Sequence, residues 1–250
     1  MKVIGIYNIK GGVGKTATAV NFSYLSGKNG DKTLLWDLDP QGSSTFYLNM
    51  ESPNDFQLKK VLNGKENILH FTQITEYDNL WCIPSDLSYR NMELILDNAK
   101  KSKKRIREAL KEVENSFDYV FLDCPPGISV LAENIFYACD FVIVPTIPTP
   151  LSIRTYEQIM QFFKEQELDT SIIIPFYSMV ELRKSVHHSI LYDSPFKIKG
   201  MCVNFIPFLA EIEKMGIYKS PVETYSPASR AAESFAELWN EIKRKIQRKK

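Results

Sequence analysis

The amino-terminal stretch constrains this chain more than any other. A strand-length apolar run, Val3-Ile4-Gly5-Ile6-Tyr7, leads through Asn8-Ile9-Lys10-Gly11-Gly12-Val13-Gly14-Lys15-Thr16 into a segment with helical apolar spacing (Ala17, Val20, Phe22, Leu25). Strand, glycine loop and helix in immediate succession form the context a phosphate-binding loop needs. Glycines let backbone N–H groups converge on phosphate oxygens without Cβ clashes. The start of the helix adds partial positive charge. Lys15 can neutralise the β- and γ-phosphates, and the Thr16 hydroxyl can reach Mg²⁺. The general pattern GxxxxGK[ST] asks for glycine at position 9, where this chain has Ile9.

The rest of the chain repeats the alternation. Strand-length apolar runs occur at Val3–Tyr7, Thr33–Trp36, Leu80–Ile83, Tyr119–Leu122, Phe141–Val144, Ile172–Pro175 and Met201–Ile206. Several are apolar throughout, as strands covered on both faces must be. Helical spacing falls at 15–27, 88–98, 102–115, 129–138, 151–166 and 228–247, and 45–75 is the least regular stretch. This predicts an α/β fold: a doubly wound, mostly parallel sheet with helices on both faces, of the P-loop NTPase kind. A length of 250 residues suits a single such domain over 1–250.

Two further elements carry carboxylates. The second run ends in Asp37-Leu38-Asp39-Pro40-Gln41-Gly42, which places acidic groups at the carboxyl edge of the sheet, where open α/β sheets bind ligands. The fourth ends in Asp123-Cys124-Pro125-Pro126-Gly127. An aspartate after an apolar strand is the arrangement that holds Mg²⁺ in P-loop proteins, directly or through water. Cys124 reads as a buried packing residue.

The string Lys10-Gly11-Gly12-Val13-Gly14-Lys15-Thr16 resembles the deviant Walker A motif of the ParA/MinD class of P-loop ATPases, and Asp37–Gly42 resembles its DxDPQG element. The resemblance implies ATP and Mg²⁺ as cofactors, with Gly11, Gly12, Val13, Gly14, Lys15, Thr16 and Ala17 on the phosphates. It implies a homodimer formed around ATP, in which Lys10 reaches the partner's nucleotide, Asp39 orients the attacking water and Asp37 supports the Mg²⁺ site with Thr16 and Asp123. A charge supplied in this way acts like an arginine finger, worth about 10³–10⁵ in rate. Phe205-Ile206-Pro207 resembles the family's segment beside the adenine, which makes Pro207 a nucleotide contact, although Phe208 stands where the family has arginine. Gly127 replaces the serine usual after Asp-x-Pro-Pro. The family often has a glutamate-containing sequence at 147–154; here the role of Arg154 is open, with a helix-surface salt bridge as its default. No separate helix-turn-helix region precedes the loop, as in the small partition ATPases, so the resemblance implies ATP-controlled plasmid or chromosome partition with a ParB-like partner.

A net charge of +1 rules out a polycation, so any nucleic-acid affinity must come from local patches. Candidates are a cluster at Lys100, Lys101, Lys103, Lys104, Arg105 and Arg107, a second at Lys243, Arg244, Lys245, Arg248, Lys249 and Lys250, and Arg183 with Lys184, where relatives carry DNA-contacting residues. Such groups give non-specific, salt-sensitive DNA binding, although a lysine-rich helix face is often merely solvated. The stripe Phe235, Leu238, Trp239, Ile242 and Ile246 either packs on the sheet or lies on an anionic membrane, as in a MinD-like ATPase; packing is the more usual outcome. A membrane role is therefore disfavoured, and a protein cargo stays open. Cys82, Cys124, Cys139 and Cys202 form no CxxC, which argues against an iron–sulfur carrier. A nucleotide-binding scaffold without hydrolysis is a further alternative. No signal peptide is evident, and the expected location is cytoplasmic, on the nucleoid. His70, His187 and His188 carry no readable site.

Overall fold

The computed structural model describes residues 1–53, 58–85, 87–97, 102–192 and 198–249. Lys100, Lys101 and Lys250 of the basic clusters lie outside the described residues. Seven strands, β1 (Lys2–Ile6), β2 (Thr33–Asp37), β3 (Gln73–Ile74), β4 (Leu80–Ile83), β5 (Tyr119–Asp123), β6 (Phe141–Thr146) and β7 (Ile173–Tyr177), form one sheet in the order β3-β4-β2-β5-β1-β6-β7. All pairings are parallel except β3 with β4.

The continuous apolar runs divide residue by residue between two cores, because successive side chains of a strand point to opposite faces. Val3, Leu34, Trp36, Val120 and Leu122 meet one helical layer, while Ile4, Leu35, Phe121 and Ile143 meet the other. The first layer holds helices Arg105–Lys111, Val130–Ala138 and Pro150–Glu165, where Phe136 and Phe163 pack 4.7 Å apart. The second holds helices Lys15–Lys28 and Arg230–Arg248. Here the stripe Phe235, Leu238, Trp239, Ile242 and Ile246 is buried. Trp239 lies 5.5 Å from Phe22 and 5.4 Å from Phe121, so this helix is bolted to the sheet by aromatic contacts. Short polar residues start the long helices: Ser129, Thr149 and Ser229 each accept a hydrogen bond from a first-turn N–H.

The seventh expected strand, Met201–Ile206, does not join the sheet as a strand. It runs beside β7 and is tied by Cys202 N–H to Pro175 O and by Ile206 N–H to Tyr177 O, with Val203 and Asn204 out of the ladder. In a parallel ladder the N–H and C=O of one residue face the same neighbour. Pro175 therefore offers this segment an acceptor and no donor. The N–H groups of Val203 and Asn204 go instead to the Glu241 carboxylate. The two-residue β3 is too short for its alternation to register in sequence. The stretch predicted as one helix over 102–115 is a 3₁₀ turn, Ser102–Lys104, followed by the Arg105–Lys111 helix. Likewise 88–98 opens as a 3₁₀ turn, Leu87–Asn91, before helix Met92–Asp97. Among the described residues no helix is long and apolar enough to cross a membrane.

Candidate functional site

The site forms where β2, β5 and β1 end side by side. In register, Ile6 pairs with Asp123 and Asp37 pairs with Asp123, so the glycine loop and both buried carboxylates leave the sheet at one edge. The loop is braced by Asn8, whose amide donates to Pro145 O at 2.8 Å and whose Oδ1 accepts from Lys10 N–H at 2.9 Å. Gly14, at φ +88°, turns the chain into the Lys15–Lys28 helix. A Cβ at Gly14 would stand 2.9 Å from Ser178 Oγ, so glycine is needed for both torsion and space. Unlike the three helices capped by Ser129, Thr149 and Ser229, this helix has no side-chain cap. Its first N–H groups stay free for an anion. A Cβ at Gly11 or Gly12 would meet nothing within 4 Å, so the face of the loop is open.

Lys15 is 7% exposed and folds back to donate from Nζ to Lys10 O at 2.9 Å. Burial pulls its pKa down, opposed by Asp123, Cys124 and Asp39. Among the described residues Lys10 is engaged only through its backbone.

The acidic residues differ in their surroundings. Asp37 is fully buried; its Oδ2 accepts from Thr45 N–H (2.9 Å) and Thr45 Oγ1 (2.8 Å), and its Oδ1 from Asp39 N–H (3.2 Å). Asp123 is also fully buried; its Oδ2 accepts from Ser44 Oγ at 2.7 Å. Its Oδ1 is buried with no hydrogen-bond donor in bonding geometry, although the Thr16 hydroxyl is near enough to favour the charged form. Burial raises the pKa of both carboxyls, and the Asp123 charge raises that of Asp37 further. Asp39 is half-buried and receives Gln41 N–H at 2.9 Å.

Thus the structure brings together Lys10 to Thr16, Asp37, Asp39 and Asp123. Ala17 follows in the first turn of the helix. Pro207 forms a bridge with Val180, just after the Ser178 that touches Gly14, which puts it on the same edge. The structure does not unite the basic candidates. Arg183 and Lys184 follow the carboxyl end of β7 and are exposed, with Lys184 paired to Glu181. Lys243 bonds Asp31 at 2.6 Å and lies over the ring of Tyr119, the first residue of β5, so it belongs to the opposite edge. Arg244 is exposed beside it. Arg154 is exposed on helix Pro150–Glu165 and enters no ion pair among the described residues, contrary to the expected surface bridge. His187 is a packing residue whose Nδ1 accepts from Glu181 N–H at 3.1 Å.

Sequence reasoning missed Ser44, Thr45 and Ser85. The only available signal was the hydroxyl run Ser43-Ser44-Thr45 directly after Gly42.

Residues 1–174 match the family described as an AAA domain, AAA_31. The chain belongs to this family, and is an ATPase of the ParA/MinD type. It is 28% identical over 247 residues to the sporulation initiation inhibitor protein Soj of Bacillus subtilis, spanning 96% of this chain and 98% of Soj. Its fold matches cobyrinic acid a,c-diamide synthase of Mycobacterium smegmatis, solved with ADP and magnesium (TM-score 0.83, 23% identity, 100% of this chain and 97% of that one). It also matches the septum site-determining protein MinD of Pyrococcus horikoshii, solved with Mg-ADP (TM-score 0.78, 21% identity, 96% and 95%). In this ParA/MinD-type ATPase the donors at the sheet edge suit Mg²⁺. They are hard oxygens, and one of them, Asp123 Oδ1, is buried without a hydrogen bond among the described residues.

Proposed function

We propose that this ATPase binds ATP and Mg²⁺ at the glycine loop, pairs with a second copy around the nucleotides, and uses the ATP-bound dimer to hold DNA non-specifically during plasmid or chromosome partition. The observation that carries the reading is the pairing of two lysines on one loop: Lys15 buried beside its own carboxylates, and Lys10 at the loop's start, engaged among the described residues only through its backbone. Lys15 would leave the Lys10 carbonyl for the β- and γ-phosphates, whose charge offsets the burial that pulls the pKa of its ammonium down. Lys10, badly placed for its own chain's γ-phosphate, would serve the partner's. Thr16 and Asp123 would hold the metal, with Asp37 behind them, and Mg²⁺ when bound would neutralise charge developing on the transferred phosphoryl group. Asp39, half-buried, would orient the water. Exclusion of water between two copies strengthens every charge contact there.

Hydrolysis, stimulated by a ParB-like partner, would dissolve the dimer and release the DNA, a switch driven by γ-phosphate contacts. Arg183 is the basic candidate nearest the carboxyl edge and Arg244 the freer one at the other end. A single 1–250 domain in the cytoplasm, on the nucleoid, is the form this reading takes. A membrane role is disfavoured because the apolar stripe of the last helix is spent on the sheet. The test is light scattering of the Lys10→Ala and Asp39→Ala proteins with ATP and Mg²⁺. The reading expects Lys10→Ala to stay monomeric and Asp39→Ala to dimerise but hydrolyse slowly; parental dimerisation of Lys10→Ala would overturn the role of Lys10 in trans.

A further inference from the structure

We propose that Ser85 is a positioning residue for hydrolysis, one that holds the turn carrying Asp39; the inference rests on the role given to Asp39 above. Four residues close a ring of hydrogen bonds. Asp39 N–H donates to Asp37 Oδ1 at 3.2 Å, Ser85 Oγ donates to Asp39 O at 2.7 Å, Ser85 N–H donates to Thr45 Oγ1 at 2.8 Å, and Thr45 Oγ1 donates to Asp37 Oδ2 at 2.8 Å. The proton directions are consistent around the ring: Thr45 spends its one hydroxyl proton on Asp37 and accepts from Ser85, and Ser85 spends its own on Asp39.

Three members of the ring belong to the segment that leaves β2. Ser85 alone comes from elsewhere, two residues beyond β4, whose Ile83 pairs with Trp36. It is 6% exposed, so water does not readily replace its bonds. The Asp39 carbonyl also accepts Gly42 N–H at 2.9 Å, closing the Asp39–Gly42 turn. Ser85 thus takes the remaining lone pair of that carbonyl and fixes the turn from outside. Asp37 holds the segment at one end through carboxylate bonds. Without Ser85 the turn loses its anchor from outside the segment, and the Asp39 carboxylate, placed among the described residues by its backbone and by Gln41 N–H, loses its bearing on a water at the γ-phosphate. None of the four bonds touches the glycine loop, so removing Ser85 leaves the loop's own contacts to the phosphates in place.

The test compares Ser85→Ala, Ser85→Thr, Asp39→Ala and the double variant Asp39→Ala/Ser85→Ala. Read-outs are affinity for a fluorescent ATP analogue, single-turnover hydrolysis and amide exchange over residues 38–45. Loss of one buried hydrogen bond from the positioning of a reacting group predicts a fall of about tenfold in hydrolysis for Ser85→Ala, with affinity changed by less than about twofold because Ser85 makes no contact with the glycine loop. Exchange in the turn should quicken, Ser85→Thr should recover part of the rate, and Ser85→Ala should cost nothing further once Asp39 is gone. Parental hydrolysis by Ser85→Ala, an equal loss in both Asp39 backgrounds, or affinity falling in step with rate overturns the proposal. Should Ser85→Ala not fold, Ser85→Cys, of the same shape with a weaker donor, is read in the same way. If Asp39→Ala itself hydrolyses like the parent, the role of Asp39 fails and this proposal with it; a defective Asp39→Ala beside a normal Ser85→Ala overturns Ser85 alone.

Discussion

Gly127 ties the segment after β5 to the nucleotide loop, and replacing it with alanine isolates a torsional cost. Its φ is +99°, outside the region L side chains adopt easily. An added Cβ would meet no atom within 4 Å, so the penalty is not steric crowding. Backbone relaxation would normally relieve it, but Gly127 N–H donates to Ile9 O at 3.0 Å and Gly127 O accepts from Tyr7 Oη at 2.8 Å. Relaxing the torsion breaks one or both, at about 1 kcal/mol each; keeping it costs roughly 1–3 kcal/mol. Alanine returns about 0.4–1 kcal/mol by restricting the unfolded chain. The net expectation for Gly127→Ala is a loss of about 1–2 kcal/mol, seen in a domain of this size as a Tm lower by roughly 2–8 °C. Gly127→Ser, which restores the residue usual in the family, should pay the same. Gly11→Ala is the control: its φ is not positive and its Cβ would stand in open space, so Tm should hold or rise. A Tyr7→Phe background should shrink the Gly127→Ala penalty, because the carbonyl is then free to turn. Equal Tm values for Gly127→Ala and Gly11→Ala in urea-checked two-state melts would refute the torsional account.

Asp123→Asn should raise the Tm of the nucleotide-free protein and abolish Mg²⁺-dependent nucleotide binding, as read by melting and by fluorescent-nucleotide titration; a lower Tm contradicts the burial argument. Both buried carboxyls bind protons more tightly folded than unfolded, so the nucleotide-free protein should lose stability as pH rises from the ordinary carboxylate range through their raised values, and melts between pH 5 and 8 check the sign. Gly14→Ala meets both φ +88° and the buried Ser178 hydroxyl, so it should lose at least about 1 kcal/mol of stability and most nucleotide affinity. Arg183→Ala and Arg244→Ala should each weaken DNA binding with a smaller salt slope, by about one unit per lost phosphate contact, whereas Lys243→Ala, whose ammonium is paired with Asp31, should mainly cost about 0.2–1 kcal/mol of folding stability.

What the sequence disclosed follows from how local each signal is. The glycine loop, the three aspartates and six of the strand runs were legible because each is written within a few consecutive residues: a buried parallel strand must be apolar throughout, and a phosphate loop must be glycine-rich. Met201–Ile206 was misread for the opposite reason. Its apolar content matches a strand, but its pairing depends on Pro175 and Glu241, which lie far away in sequence. The hydroxyls of Ser44, Thr45 and Ser85 were equally hidden, since serine and threonine are ordinary in loops and become informative only when a carboxylate or carbonyl stands 2.7–2.8 Å away. Lys243 shows the reverse error: a lysine in a basic run is engaged, while Arg244 beside it is exposed.

Asp37 and Asp123 stand opposite each other in the register of β2 and β5, and among the described residues Lys15 is the cation whose charge reaches Asp123. Two carboxyls in a site of low dielectric are desolvated and raise each other's cost of ionisation, so this edge of the sheet resists holding both charges. The hydroxyls of Ser44 and Thr45 and the amides of Asp39 and Thr45 reduce that cost without removing it, and Asp123 Oδ1 has the Thr16 hydroxyl near but no hydrogen bond among the described residues. A protein selected for stability alone would place an asparagine or an apolar residue at either position. Two buried carboxyls so placed suit a positive ligand. A cation entering there would relieve the repulsion between the two carboxylates. The turn that carries Asp39 is already held through Thr45 and Ser85, so an entering charge meets a preformed turn.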